Sequence, residues 1–162
     1  MKVIKKQNNS HMCIICGMDN EAGLKAPFYE MEDGSIVSVF KYNEIHQSYP
    51  GRTHGGMITC MLDELIGRAI WIKEPETWGV TTNINVRFLK PVPYNTELIG
   101  VGKITNNNRF LFEAEGHIQD KNGKLLAKAT ATYFKLKENQ IMDDPEHNEM
   151  FLVPDDVKEI EF

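Results

Sequence analysis

The stretch Thr53–Ile72, THGGMITCMLDELIGRAIWI, decides how the rest of the chain is read. Met57, Ile58, Met61, Leu62, Leu65, Ile66, Ala69 and Ile70 recur at three- and four-residue spacing. That spacing puts a wide apolar stripe on one side of an α-helix and predicts that the helix is buried. Gly55 and Gly56 sit at its first turn, where several backbone N–H groups lack intrahelical acceptors. With no side chain in the way, an oxygen gaining negative charge can approach those N–H groups and the positive end of the helix dipole. The helix start therefore reads as an oxyanion hole.

Asp63 stands in the middle of the same helix, one turn from Thr59, Cys60, Ile66 and Gly67 and from no basic residue. Periodicity allows two readings: a solvent-facing Asp63–Glu64 pair, or a general base or nucleophile in an apolar cleft. The eight residues from Gly55 to Asp63 span ~12 Å of helix, too far for one small reacting group to touch both. If both act on it, two subunits share the site.

After the helix the hydrophobic period changes to alternation. Val80–Phe88, Leu98–Ile104, Phe110–Ile118 and Leu125–Leu136 read as strands, with Asn106–Asn108 and Asp120–Gly123 as hairpin turns. In the third, Phe110, Phe112, Ala114 and Ile118 share one face and Glu113, Glu115 and His117 the other, so a single helix must cover the apolar side. Ala127, Ala129 and Ala131 suggest close packing against that helix. Gly34–Phe40 reads as the first strand and Tyr42–Thr53 as a loop, in which His46 and Gln47 are available to line a pocket at the helix start. Patterning gives an α+β sandwich, one arrangement of which is a helix wrapped by one long antiparallel sheet.

Several motifs together resemble the hotdog-fold acyl-CoA thioesterases, in particular the phenylacetate-pathway branch. They are His54-Gly55-Gly56 with Asp63 nine residues after the histidine, Cys13-x-x-Cys16-Gly17 with Asn20, Gly23 and Leu24, the segment His46–Gly51, Leu62-Asp63-Glu64, and Asn85–Phe88 leading to Lys90–Pro93. The resemblance covers most of the chain. It implies a hotdog fold, one long central helix wrapped by a single antiparallel β-sheet, in a homodimer or a homotetramer built as a dimer of dimers. It also implies an acyl-CoA thioesterase with Asp63 as general base or nucleophile, the Gly55 N–H as oxyanion hole, His54 shaping the helix start and Thr81 orienting water. His46, Gln47, Ser48, Gly56, Glu64 and Arg87 become substrate-binding candidates. Ser48 departs from relatives that carry an Asn there, leaving Gln47 or His54 for the second oxyanion contact. The rivals are a hotdog hydratase or dehydratase built on His46 and Glu64, and an acyl-CoA-binding module without catalysis.

The 162 residues are 41% hydrophobic, enough for one domain with a core. The opening MKVIKKQNNS has no apolar run, so neither a signal peptide nor a membrane helix is expected, and the expected location is cytoplasmic. Cys13 and Cys16 have the spacing of half a zinc site, to which His11 can add a ligand. The second half is missing, so the pair reads as reduced thiols in a Gly-rich turn, with no metal or cofactor expected, and Cys60 as a buried thiol. The division expected is a domain over 1–137 and an acidic tail over 138–162, whose nine acids leave a body with 14 acids against 17 bases. A mildly basic body suits an anionic substrate such as an acyl-CoA, with Arg52, Arg68, Arg87 and Lys90 as phosphate contacts. No basic patch or helix pair suited to nucleic acid is present.

Overall fold

A computed structural model describes residues 1–141 and 150–162. The chain runs through β1 (Val3–Lys6), β2 (Asn9–Ser10), β3 (Tyr29–Met31), β4 (Ile36–Lys41), β5 (Gln47–Tyr49), β6 (Arg52–Thr53) and α1 (Gly55–Gly67). It continues through β7 (Thr77–Phe88), β8 (Glu97–Asn107), β9 (Leu111–Asp120), β10 (Leu125–Lys137), the single turn α2 (Glu138–Ile141) and β11 (Met150–Phe151). One antiparallel sheet in the order β1-β3-β4-β8-β9-β10-β7 carries α1 on one face. This is the hotdog arrangement.

The apolar stripe of α1 does what its period predicts: Ile58, Met61, Leu62, Leu65 and Ile66 are buried. They pack on Phe112, Ala114, Ile118, Ala127, Ala129, Ala131 and Tyr133 of the sheet. Glycines on β8 and β9 decide how close the helix lies. A Cβ at Gly100 would meet Leu65 at 2.8 Å, and one at Gly116 would meet Ile66 at 2.4 Å. The alanines of β10 share this close packing, but the closest approach rests on glycines that strand alternation does not flag.

Other expectations shift. Residues 68–72 continue the helix as a tighter 3-10 turn. The predicted first strand is the fourth, because the polar opening of the chain supplies β1 and β2 and Tyr29–Met31 supplies β3. β1 ends the sheet beside β3, with the Val3 N–H also bonded to the Lys158 carbonyl at 2.8 Å, and needs no apolar alternation. The predicted loop 42–53 contains a 3-10 turn at Glu44–His46 and the small β5–β6 hairpin. Phe110, placed with the apolar face of its strand, is 59% exposed and precedes β9.

Within the segment 138–162, residues 142–149 lie outside the described residues. Met150 and Phe151 pair with Ser10 and Asn9, and Phe151 stacks on His11 with ring centroids 4.5 Å apart. Farther on, Ile160 exchanges backbone hydrogen bonds with Met1 and is buried against Tyr29, Met31, Val37 and Ile99. Asp155 accepts from Tyr29 and pairs with Lys6 at 2.7 Å.

Candidate functional site

The two ends of α1 present two separate clefts. His54 is the N-cap, and its Nδ1 accepts the Gly56 N–H at 2.9 Å. A ring nitrogen here fills the role usually taken by a Ser or Asp oxygen. Gly56 therefore has its N–H engaged, whereas Gly55, the first helical residue, has an N–H with no acceptor among the described residues. Gly55 opens into a cleft of about 390 Å³ lined by Ser48, Tyr49, Arg52, Thr53, Ile58 and Phe88–Val92. The Thr53 hydroxyl in that lining is buried and, among the described residues, has no hydrogen-bond partner.

Asp63 lies in the other cleft, about 150 Å³, with Glu64, Gly67, Arg68, Trp71, Trp78, Gly79, Thr81 and Tyr133. Its Oδ1 accepts from the Thr81 hydroxyl at 2.9 Å and from the Tyr133 hydroxyl at 3.0 Å. The Tyr133 hydroxyl also reaches the Asp63 carbonyl at 2.9 Å. Burial first, then the neighbouring Asp63, push the Tyr133 phenol far above its ordinary range, so it stays protonated and donates. The two donors fix one carboxylate oxygen.

A β-bulge puts Thr81 there. In the β7–β10 ladder, Thr132 pairs with Asn83 but Tyr133 pairs with Thr81, leaving Thr82 as the extra residue. Ile84 and Val86 face the core from one half of β7. In the other half, Gly79 lies against Phe112 and Tyr133, and Thr81 reaches Asp63. Regular alternation from Ile84 would have turned Thr82 inward. Thr82 instead bonds the Thr132 carbonyl at 3.0 Å on the exposed side.

The other sequence candidates are scattered. His46 is buried. Its Nδ1 accepts the Asn43 N–H at 2.9 Å, so the protonated Nε2 donates to the Ala22 carbonyl at 2.7 Å. It ties the loop to the N-terminal segment. Gln47 is exposed and within 3.4 Å of the Tyr94 hydroxyl, while Ser48 lines the Gly55 cleft. Glu64 pairs with Arg68 at 2.7 Å, so the His46–Glu64 couple that a hydratase would need is not assembled. Arg87 lies with Lys103 and Lys128 in a cleft of about 600 Å³ on the sheet face turned away from α1, apart from both ends of the helix. Sequence reasoning missed Tyr133, whose only signal was a polar-tipped aromatic in an otherwise apolar row.

Two basic and thiol expectations are corrected. Arg68 is 4% exposed and is no phosphate contact: it is spent on Glu64, the Asn8 carbonyl at 2.8 Å and Cys16 Sγ at 2.9 Å, with Phe28 and Trp71 against its plane. Arg52 and Lys90 do line the Gly55 cleft. Cys60, expected buried, is exposed. Cys13, Cys16 and Glu64 bring three ligand-type atoms within 4.8 Å of one another, but the Arg68 guanidinium already supplies positive charge to two of them. Among the described residues no helix is long and apolar enough to cross a membrane.

Residues 50–127 match the family model of the thioesterase superfamily, a span that includes α1 and both clefts. Acyl-coenzyme A thioesterase 13 of Mus musculus is 24% identical over 98 residues, covering 60% of this chain and 70% of the relative. A crystal structure of a thioesterase superfamily protein superposes with a TM-score of 0.70 at 22% identity, covering 77% of this chain and 60% of that one. This chain thus spans less than two thirds of that protein's length. A hypothetical thioesterase protein from Streptococcus pneumoniae TIGR4, solved with coenzyme A, gives a TM-score of 0.61 at 24% identity over 68% of this chain and 87% of its own. The sheet-wrapped helix and the shared fold, with a family-model match over residues 50–127, make this chain similar to the hotdog-fold thioesterases.

Proposed function

We propose that the protein hydrolyses acyl-CoA thioesters at two equivalent sites, each built from two copies of the chain. The observation that supports this reading is that Thr81 and Phe88, the neighbours of Asp63 and Gly55, both lie on β7, a 12-residue strand at the sheet edge paired, among the described residues, only with β10. Near its start, Thr81 holds Asp63. At its end, the Phe88 ring lies 3.4 Å from where a Gly55 side chain would begin. Seven residue steps along the strand separate Thr81 from Phe88, roughly 23 Å. An unpaired edge recruits another strand, and antiparallel pairing of two β7 strands reverses one against the other. Gly55 of one copy then faces Asp63 of its partner. Val80 and Phe88, exposed apolar residues of this strand, are covered in such a dimer.

In this arrangement the thioester carbonyl oxygen enters the Gly55 cleft. The free Gly55 N–H and the helix dipole stabilise the developing oxyanion, worth about 3 kcal/mol when well aligned. Asp63 of the partner, aimed by Thr81 and Tyr133, takes the proton of an attacking water or attacks the carbonyl itself. The thiolate of CoA leaves and takes up a proton. Arg52 and Lys90 at the mouth of the Gly55 cleft suit the phosphates of the cofactor moiety.

The test uses two variants that each disable one half-site. Asp63→Asn removes the base, and Gly55→Val blocks the N–H with a side chain against Phe88. Each alone abolishes thiol release from a panel of short, long and aromatic acyl-CoAs. Mixed and allowed to exchange subunits, they regain about a quarter of wild-type activity, because half the dimers carry one intact site of two. No recovery on proven exchange overturns the shared site. An Asp63→Asn variant with full turnover overturns the catalytic assignment, and tight binding without turnover by the wild type turns the protein into an acyl-CoA-binding module.

A further inference from the structure

The thiol cluster behind α1 is used by none of the chemistry above. Residues 10–17 fold into a tight turn in which the Gly17 N–H bonds the Cys13 carbonyl at 2.8 Å. A Cβ at Gly17 would come within 2.4 Å of that carbonyl, so the turn requires glycine there. The turn brings Cys13 Sγ and Cys16 Sγ within 4.8 Å of each other. Cys13 is half-buried and reachable from solvent, and its sulfur accepts the N–H groups of Ile15 at 3.3 Å and Cys16 at 3.5 Å. Cys16 is fully buried. Its sulfur meets the Arg68 guanidinium at 2.9 Å and the Ser10 hydroxyl at 3.3 Å. Glu64, held by Arg68, completes the cluster.

A buried guanidinium beside a sulfur favours the thiolate. The two sulfurs behave as one acid that gives up its first proton readily and its second reluctantly. The first ionisation falls to about 7 at Cys16, where the hydrogen bond from Cys13 and the charge of Arg68 outweigh burial and Glu64. The second is pushed far up at Cys13 by the shared hydrogen bond, by burial and by Glu64. A dithiol of this kind suits exchange better than metal binding, because the Arg68 charge stands where a cation would have to sit.

We infer that Cys13 and Cys16 form a thiol–disulfide exchange site for a low-molecular-weight disulfide, with Cys13 the sulfur that meets the reagent and Cys16 the sulfur that closes the ring. In the first step the Cys13 thiolate, its proton passed to Cys16, attacks one sulfur of the disulfide. A Cys13 mixed disulfide forms, and the first small thiolate leaves. In the second step the Cys16 sulfur, its proton passed to the departing thiolate, attacks Cys13 Sγ. The Cys13–Cys16 bond forms, the mixed disulfide breaks, and the second small thiol leaves. The protein dithiol is oxidised by two electrons and the small disulfide is reduced to two thiols. Only a short approach of two sulfurs already in one turn is required.

The experiment uses full-length protein carrying Cys60→Ser, which removes the exposed third thiol, incubated with oxidised glutathione and read by intact mass and peptide mapping. The expected product has lost two hydrogens, with Cys13 linked to Cys16 and no glutathione retained, and dithiothreitol reverses it. Adding Cys16→Ser should trap one glutathione on Cys13. Adding Cys13→Ser should leave the buried Cys16 unmodified. Failure of the parent to lose two hydrogens while remaining folded overturns the inference. So does a stoichiometric zinc ion that shields both thiols in the purified protein, and so does glutathione trapped on Cys16 in place of Cys13.

Discussion

Replacing Thr81 by valine tests whether the hydroxyls around Asp63 aim it or merely surround it. The side chain keeps nearly the same volume, so packing against Tyr133 is little changed. One donor to Asp63 Oδ1 at 2.9 Å is lost, and the Tyr133 donor at 3.0 Å remains. A hydrogen bond to an ionised acceptor contributes roughly 1.5–3 kcal/mol. Asp63 and Thr81 are both partly exposed, so water replaces part of that, and the low end applies. About 1.4 kcal/mol corresponds to a tenfold fall in kcat/KM. Tyr133→Phe should cost a similar factor. The double variant should fall below the product of the two losses, because either hydroxyl alone still holds the oxygen and neither remains when both are gone. Steady-state thiol release gives the rates, and denaturant unfolding of each variant separates lost aim from lost fold. A Thr81→Val enzyme within about twofold of wild type, beside an inactive Asp63→Asn enzyme, would refute the aiming role.

His46→Ala should destabilise the fold by about 3 kcal/mol by orphaning the Asn43 N–H and the Ala22 carbonyl, read as a lower denaturation midpoint. Gly116→Ala should lower stability by about 1–3 kcal/mol, because its methyl would meet Ile66 at 2.4 Å and the Val101 carbonyl at 2.6 Å. In reductant, stability should carry a contribution from Cys16 that is complete above about pH 9 and lost as pH falls through about 7, since its folded value is lowered; Cys16→Ser should remove that slope from denaturation curves taken across the range. Glu74 is held below its usual range first by Lys135 and then by Asn107, so its contribution is present at neutral pH and lost on acidification below about pH 4.5; Glu74→Gln should flatten the acid limb of the stability curve.

The helix and the four long strands after it, β7 to β10, were legible because their burial is periodic. Met61, Leu62, Leu65 and Ile66 announce one covered face, and β8 to β10 announce their alternation. β1 and β2 were not legible, because they are held by edge pairing and by the returning C-terminal segment rather than by an apolar face of their own. At the site, the Gly55–Asp63 separation follows from helix rise alone. Gly55 and Asp63 were singled out from the glycine helix start and the carboxylate in mid-helix, and His54 and Thr81 only through the family resemblance. The roles of Tyr133 and Arg68 followed from neither, because the partners that define them lie 70 and 52 residues away in the chain. His46 shows the opposite failure: a histidine in a polar loop reads as available until both ring nitrogens prove to be taken.

The extra residue at Thr82 acts as a phase shift in β7. The half of the strand beyond it and the half before it keep separate reading frames, each free to change its inward and outward residues without disturbing the other. A related chain one residue shorter at this point would straighten the ladder and still present its hydroxyl to the helix, whereas a deletion near Gly79 or Val86 would flip the residues beyond it. Gaps in comparisons of such strands belong at the bulge, and an engineer who wants to reshape the exposed edge without moving the Asp63 carboxylate has a natural cut point there.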